Sequence, residues 1–213
     1  MIGIPIGLFF ANAFEWYAHK RILHDLGRDK KGIMHSHWDH HRDTRRTAFR
    51  DPIYTDTWYN DRALQEAMGV GALAVFFAPL FPVAPFFTGT VFYSAYNYWR
   101  VHRKSHRDPE WTKKHLPWHY DHHMGMDQDL NWCVTRPWFD YIMGTRVAGK
   151  ETEIEKNVLG IDLPDWAGRA INELAARRGW KALSEAEWRE RKKLKKSRAA
   201  ARKPEEAELV APG

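Results

Sequence analysis

Residues 101–123 read VHRKSHRDPEWTKKHLPWHYDHH, and within them His102-x3-His106 and His119-x2-His122-His123 set five imidazoles at helical spacings. Residues three or four apart on a helix share a face, so the pair and the triplet each project their rings in one direction. The same alternation stands earlier in the chain, as His19-x4-His24 and His37-x2-His40-His41. Only the first pair departs from helical spacing. Five residues are about 140° apart round an ideal helix, so His19 and His24 converge only if the helix ends or bends between them, and Gly27 offers an end.

Ten of the twelve histidines lie in these four groups. A lone histidine on an apolar face is more often a satisfied core residue than a ligand, but four spaced groups read as chelating sets. Ten imidazoles exceed the four that one structural zinc takes and suit two metals, about five donors each, with positions left open for oxygen. Imidazole accepts Fe, Zn, Cu and Ni alike, so the donors specify the number of metals before their identity. The single cysteine, Cys133, excludes an internal disulfide and any cysteine-built zinc or iron–sulfur site, and fits a reducing compartment. It reads as a small packed residue.

Upstream of the quoted stretch, Ala67 to Trp99 carries no charge. As one straight helix this segment would be about 50 Å long, too long for a hydrocarbon core of ~30 Å. Pro79, Pro82 and Pro85 stand at its middle and leave halves of 12 and 14 residues, each too short to span by itself. The expectation is a helical hairpin that dips into the membrane and returns to the side it came from; two buried helices of a soluble protein are the alternative. Residues 1–18 are apolar except for Asn12 and Glu15, and as a helix of about 27 Å they could just cross a bilayer. Ala11-Asn12-Ala13 resembles a cleavage site, but no charged leader precedes the apolar run, so cleavage is not expected.

Lys and Arg follow both apolar segments, from Lys20 to Arg50 and from Arg100 to Arg107, which places these polar stretches on the cytoplasmic side. Metal sites cannot form across a bilayer, so all four histidine groups converge at that boundary. Trp16, Tyr17, Tyr93, Tyr96, Tyr98 and Trp99 suit an interfacial aromatic belt or core packing. Asp25, Asp39, Asp121 and Glu15 neighbour the histidines and could orient ring N–H groups, cap turns or remain solvated. The net charge of +6 is accounted for by residues 184–203, with nine Lys/Arg against three Glu. The basic character therefore belongs to a tail, which argues against nucleic-acid binding. In that region Asp165 can cap a helix stopping at Gly179, Ser184-Glu185-Ala186-Glu187 reads as a capping box, and Pro204 to Gly213 looks frayed.

The four spacings, in their order, resemble the fatty acid hydroxylase and sterol desaturase superfamily, most closely the fatty acid 2-hydroxylases of sphingolipid synthesis. Trp118-His-Tyr-Asp-His-His123, then Asn131-Trp132 and Pro137-Trp-Phe-Asp140-Tyr-Ile-Met-Gly144-Thr145, are similar to that superfamily's closing block. The resemblance covers residues 12 to 146. It implies an all-α integral membrane protein: a short helical bundle with the proline-broken hairpin and a cytoplasmic histidine-rich cap holding a di-metal site. Residues 1–146 would form the hydroxylase-like domain and 147–213 a basic helical extension.

The implied cofactors are two Fe ions, which Zn can replace or accompany, with O2 as cosubstrate. Carried onto matching positions, the ligands would be His19, His24, His37, His40, His41, His102, His106, His119, His122 and His123. His35 and His115 lie outside the pattern, although His35 could replace His37. The implied reaction hydroxylates a C–H bond of a fatty acyl or comparable lipid; sterol or carotenoid oxidation, desaturation and aldehyde deformylation share the ligand set. A non-catalytic metal-binding membrane protein is a competing class, weakened because no ionisable residue lies inside residues 67–99 to line a path. The chain departs from its relatives in starting at the segment that carries the first pair, without an additional membrane hairpin. It also has no fused cytochrome b5 domain or dinucleotide fingerprint. A separate electron donor, cytochrome b5- or ferredoxin-like, is therefore expected as partner beside the membrane and the lipid.

Overall fold

The computed structural model describes residues 1–54, 57, 59 and 62–209, without the side chains of residues 62, 198, 199 and 201–209. These are mostly helical, and they contain no strand, only a parallel bridge between Val147 and Leu183. The helices are α1 (Gly3–Tyr17), α2 (Ser36–Arg46), α3 (Arg62–Phe77), α4 (Pro85–Arg107), α5 (Pro109–His115), α6 (Pro117–Met124), α7 (Trp138–Met143), α8 (Asp165–Arg177) and α9 (Glu185–Leu209).

The uncharged segment folds back on itself. α3 ends in a 3-10 turn at Ala78–Leu80, and α4 opens with Pro85 in its first turn, where a missing N–H costs nothing. Trp99 Nε1 donates to the carbonyl of Ala63 at 2.8 Å, so the far end of α4 lies against the near end of α3, and the chain returns to its own side. The halves are longer than the uncharged run suggests, 16 and 23 residues, because both helices continue into their polar flanks. Ala63–Leu80 is long and apolar enough to cross a membrane, with a mean hydropathy of 1.5, and is 11% buried. α1 runs on without a break into the helical turns of Ala18–Asp25, and Ala63–Leu80 is the one candidate span among the described residues.

α1 packs across α4 through its glycines. A Cβ on Gly3 would stand 2.8 Å from the Phe87 backbone nitrogen, and one on Gly7 2.8 Å from Thr90 Cβ, so the backbones approach this closely only without side chains. Phe10 fills the junction with Phe77 and Phe87, at 5.4 and 5.5 Å between centroids. The two polar residues of the first segment face the closing block. Asn12 donates to the carbonyl of Arg136 and accepts from the Phe139 N–H, while Glu15 accepts from the N–H and hydroxyl of Thr135 and from the Val134 N–H.

In the C-terminal region Ser184 and Glu187 form the reciprocal capping box, at 3.2 and 2.8 Å. Asp165 is the first residue of α8 and makes no side-chain cap bond there; Pro164 holds the cap position. α8 ends at Arg177 and is closed off by the left-handed Gly179 (φ +73), whose neighbour Trp180 returns its N–H to the Ala175 carbonyl. The α9 backbone continues through Pro204 to Leu209; residues 210–213 lie outside the described residues.

Candidate metal centre

Past Tyr17 the first helix widens into a π-helix, Ala18–Asp25. Bonding from i to i+5 brings residues five apart onto one face, so neither an end nor a bend is needed, and the His19 and His24 rings stand 5.2 Å apart. The ten imidazoles then collect into two sets. His19, His24, His37, His41 and His122 form the first, and His40, His102, His106 and His123 the second, each with one ring nitrogen per residue within 4.8 Å of the others. His119 joins the second through its Nε2, 3.2 Å from that of His106.

The triplets do not act as units. His37 and His41 turn to the first set and His40 to the second, while His122 and His123 part in the same way. Adjacent residues on a helix diverge by about 100°, so rings at 40 and 41, or at 122 and 123, cannot approach one ion. Each triplet thus bridges both sets, and the rings of His41 and His123 stack at 4.2 Å between them. His35 instead meets the carbonyl of Gly27 through Nδ1, and the exposed His115 ring lies against Trp111.

Ring orientation is fixed from outside. Nδ1 of His19 donates to the carbonyl of Trp132 and that of His122 to Leu130, each at 2.6 Å; His106 reaches the Phe49 carbonyl at 3.1 Å. Nδ1 of His40 meets Asp51 at 2.6 Å and that of His102 meets Glu66 at 2.8 Å. A proton held at Nδ1 leaves the Nε2 lone pair facing inward, the form in which imidazole binds a metal. Burial, reinforced by neighbouring rings, pushes His19, His41, His119, His122 and His123 well below the usual histidine range and keeps them neutral.

The sets fit metal ions. Nε2 of His41 stands 3.1–3.2 Å from Nε2 of His24, His37 and His122, and one ring nitrogen cannot satisfy three partners with one proton. A metal–nitrogen bond of about 2.0–2.1 Å sets neighbouring ligand nitrogens roughly 3 Å apart, close to what is observed. Both nitrogens of the buried His123 lack a hydrogen-bond partner, a costly state that a metal ion would relieve.

The acidic residues beside the histidines do other work. Asp25 pairs with Arg21, Asp39 with Arg42, and Asp121 with Arg146, because a carboxylate one or two positions from a ligand on the same helix points away from that ligand's ring. The carboxylates at the rings, Asp51, Glu66 and, at 3.4 Å from His24, Asp129, come from elsewhere in the chain. Asp51 and Asp129 carry no local signal. Glu66 is the last charge before the apolar run, a position where an acid suggests function.

The closing block is a brace. Asp140 accepts from the N–H groups of Trp132 and Cys133 and from the Thr145 hydroxyl, fixing the carbonyl that orients His19. Trp132 is 1% exposed and meets His24 edge-on at 4.7 Å. Gly144, left-handed at φ +63, ends α7 and turns Thr145 back to Asp140.

Fold and site define a helical protein with a paired polyhistidine centre beside an apolar hairpin. The chain belongs to the fatty acid hydroxylase family, whose model matches residues 4–145. No curated protein and no solved structure matches it. The family is membrane-associated, and membership implies an oxidoreductase.

Proposed function

We propose that this protein is an integral membrane di-iron oxygenase that hydroxylates a C–H bond of a fatty acyl or comparable lipid, using O2 and two externally supplied electrons. The observation that carries this reading is the division of ten imidazoles into two inward-facing sets, with His19, His40, His102, His106 and His122 held at Nδ1 by carbonyls or carboxylates. Two iron ions held by these sets, His19, His24, His37, His41 and His122 in one and His40, His102, His106, His119 and His123 in the other, would supply the O2-activating chemistry. The chain's own residues keep the lone pairs free and aimed inward and the rings dry: nine of the ten histidines are buried.

The membrane reading rests on an inverted distribution of polarity. Histidines, Arg146 and Asp140 lie inside, whereas Phe76 and Val75 of α3 are 76% and 75% exposed and Ala63–Leu80 is scarcely buried. A soluble core helix would bury such residues. The basic flanks support a metal centre on the cytoplasmic face. A separate cytochrome b5- or ferredoxin-like protein supplies electrons, no nucleic acid is involved, and residues 1–146 form the catalytic unit with 147–213 as its extension.

Membranes containing the protein, supplied with a reductase system and 18O2, should place one labelled oxygen in a lipid product seen by mass spectrometry. Unlabelled, desaturated product would move the assignment to desaturation. Metal uptake without O2 consumption would favour a metal-binding protein.

A further inference from the structure

The two sets of imidazoles share a donor type but not their surroundings. In the second set, Nδ1 of His40 meets Asp51 at 2.6 Å, with side chains 1% and 0% exposed, and Nδ1 of His102 meets Glu66 at 2.8 Å, with Glu66 17% exposed. In the first set the corresponding partners of His19 and His122 are neutral, the carbonyls of Trp132 and Leu130. The carboxylate of Asp129 lies 3.4 Å from His24, is 39% exposed, and gives its other oxygen to Arg28 at 2.6 Å. Water and a guanidinium thus offset the Asp129 charge at the first set, while two carboxylates, one wholly buried, meet Nδ1 atoms of the second.

A carboxylate that accepts the Nδ1 proton raises the basicity of the imidazole and its donation to a metal. Its charge also attracts the cation, most strongly where water is excluded. Access differs in the same sense. Every member of the second set is buried, and His37 of the first is half-buried.

We propose that the two metal positions are inequivalent: the His40, His102, His106, His119 and His123 position retains its ion, with Asp51 and Glu66 as positioning residues, and the His19, His24, His37, His41 and His122 position exchanges. This rests on the two-metal reading above and adds an order to it. The first-set ion is the one that leaves to a chelator and is replaced when Zn accompanies Fe.

The test uses the full-length protein in detergent, loaded with Co2+ and challenged with EDTA, with metal release followed by the Co2+ ligand-field bands. Two phases of one ion each are expected. Asp51→Asn and Glu66→Gln should each speed the slow phase by about tenfold to hundredfold, shift only the band that decays with it, and leave the fast phase in place. The retained fast-phase ion reports that these variants are folded. His37→Ala should remove the fast phase, and Asp129→Asn should alter only that phase. A single phase for both ions, acceleration of the fast phase by Asp51→Asn or Glu66→Gln, or loss of both ions together would overturn the inequivalence. Failure of the native protein to take up two ions would instead sink the two-metal reading on which it stands.

Discussion

At the scale of single residues, neighbouring histidines serve different ions. His122 and His123 are adjacent, yet one faces His41 at 3.1 Å between Nε2 atoms and the other meets the His40 ring edge-on at 4.8 Å between centroids. His122→Ala should therefore cost the first position and His123→Ala the second, each variant keeping about one metal per chain by elemental analysis. Equal loss of both metals in both variants would contradict the partition. Backbone strain lies beside the second set: Ala48 and Phe49 adopt φ +52 and +76, and the Phe49 carbonyl orients His106. Left-handed conformation costs a non-glycine residue about 1–2 kcal/mol, whereas glycine loses about 0.4–1 kcal/mol of unfolded-state entropy on ordering. The first effect wins at the exposed Ala48. Ala48→Gly should raise the thermal midpoint slightly without changing metal content, and a lowered midpoint would show that the strain is not released there.

Whole elements set the aim of these side chains. The π-helix Ala18–Asp25 reconciles a five-residue spacing with a shared face. Deleting Ile22 would leave the pair four apart, the spacing an ordinary α-helix converges. Metal at the first position should survive this deletion better than it survives His24→Ala, while a one-residue insertion at the same place should lose it; equal loss in all three would count against the π-helix as the aiming device. The capping box of α9 responds to pH. The Lys181 ammonium and the N–H and hydroxyl of Ser184 hold the Glu187 carboxylate down to about 2 from an ordinary 4.5. A depressed acid contributes stability above its unfolded value and loses it as pH falls through its folded one. Hydrogen-exchange protection of the first turn of α9 should decline between those values. Glu187→Gln should remove that dependence.

For the molecule as a whole, the extension is not all tail. Arg146, fully buried, joins Asp121 of α6 at 2.8 Å to Glu155 of the extension at 2.9 Å, so residues past the family match steady the helix that carries His119, His122 and His123. Removing one partner of a buried ionic group typically costs about 3–5 kcal/mol. Arg146→Met should destabilise the fold on that order, by denaturant titration. Removal of residues 184–213 should instead keep both metals while weakening salt-sensitive attachment to anionic vesicles, since polybasic segments gain about 1 kcal/mol per Lys or Arg near such a surface. Loss of metal in the shorter chain would show that α9 belongs to the centre, and unchanged vesicle binding at low salt would leave it a solvated helix.

The sequence by itself determined what local chemistry encodes. Helical histidine spacing marked ten candidate donors, the prolines at 79, 82 and 85 marked the return of the apolar segment, and Ser184 and Glu187 marked a helix start, because each depends on residues a few positions apart. Only the tertiary structure decided how the donors divide and what supports them. Whether His40 or His41 faces His106 depends on the rotation of α2 against α4 and α6, which no single helix contains. Asp51 reaches His40 from 11 residues away and Glu66 reaches His102 from 36, and Arg146 joins Asp121 to Glu155 across 25 and 9 residues of chain. Burial makes those long-range pairings obligatory: a carboxylate or guanidinium removed from water must find its partner wherever the fold has put one.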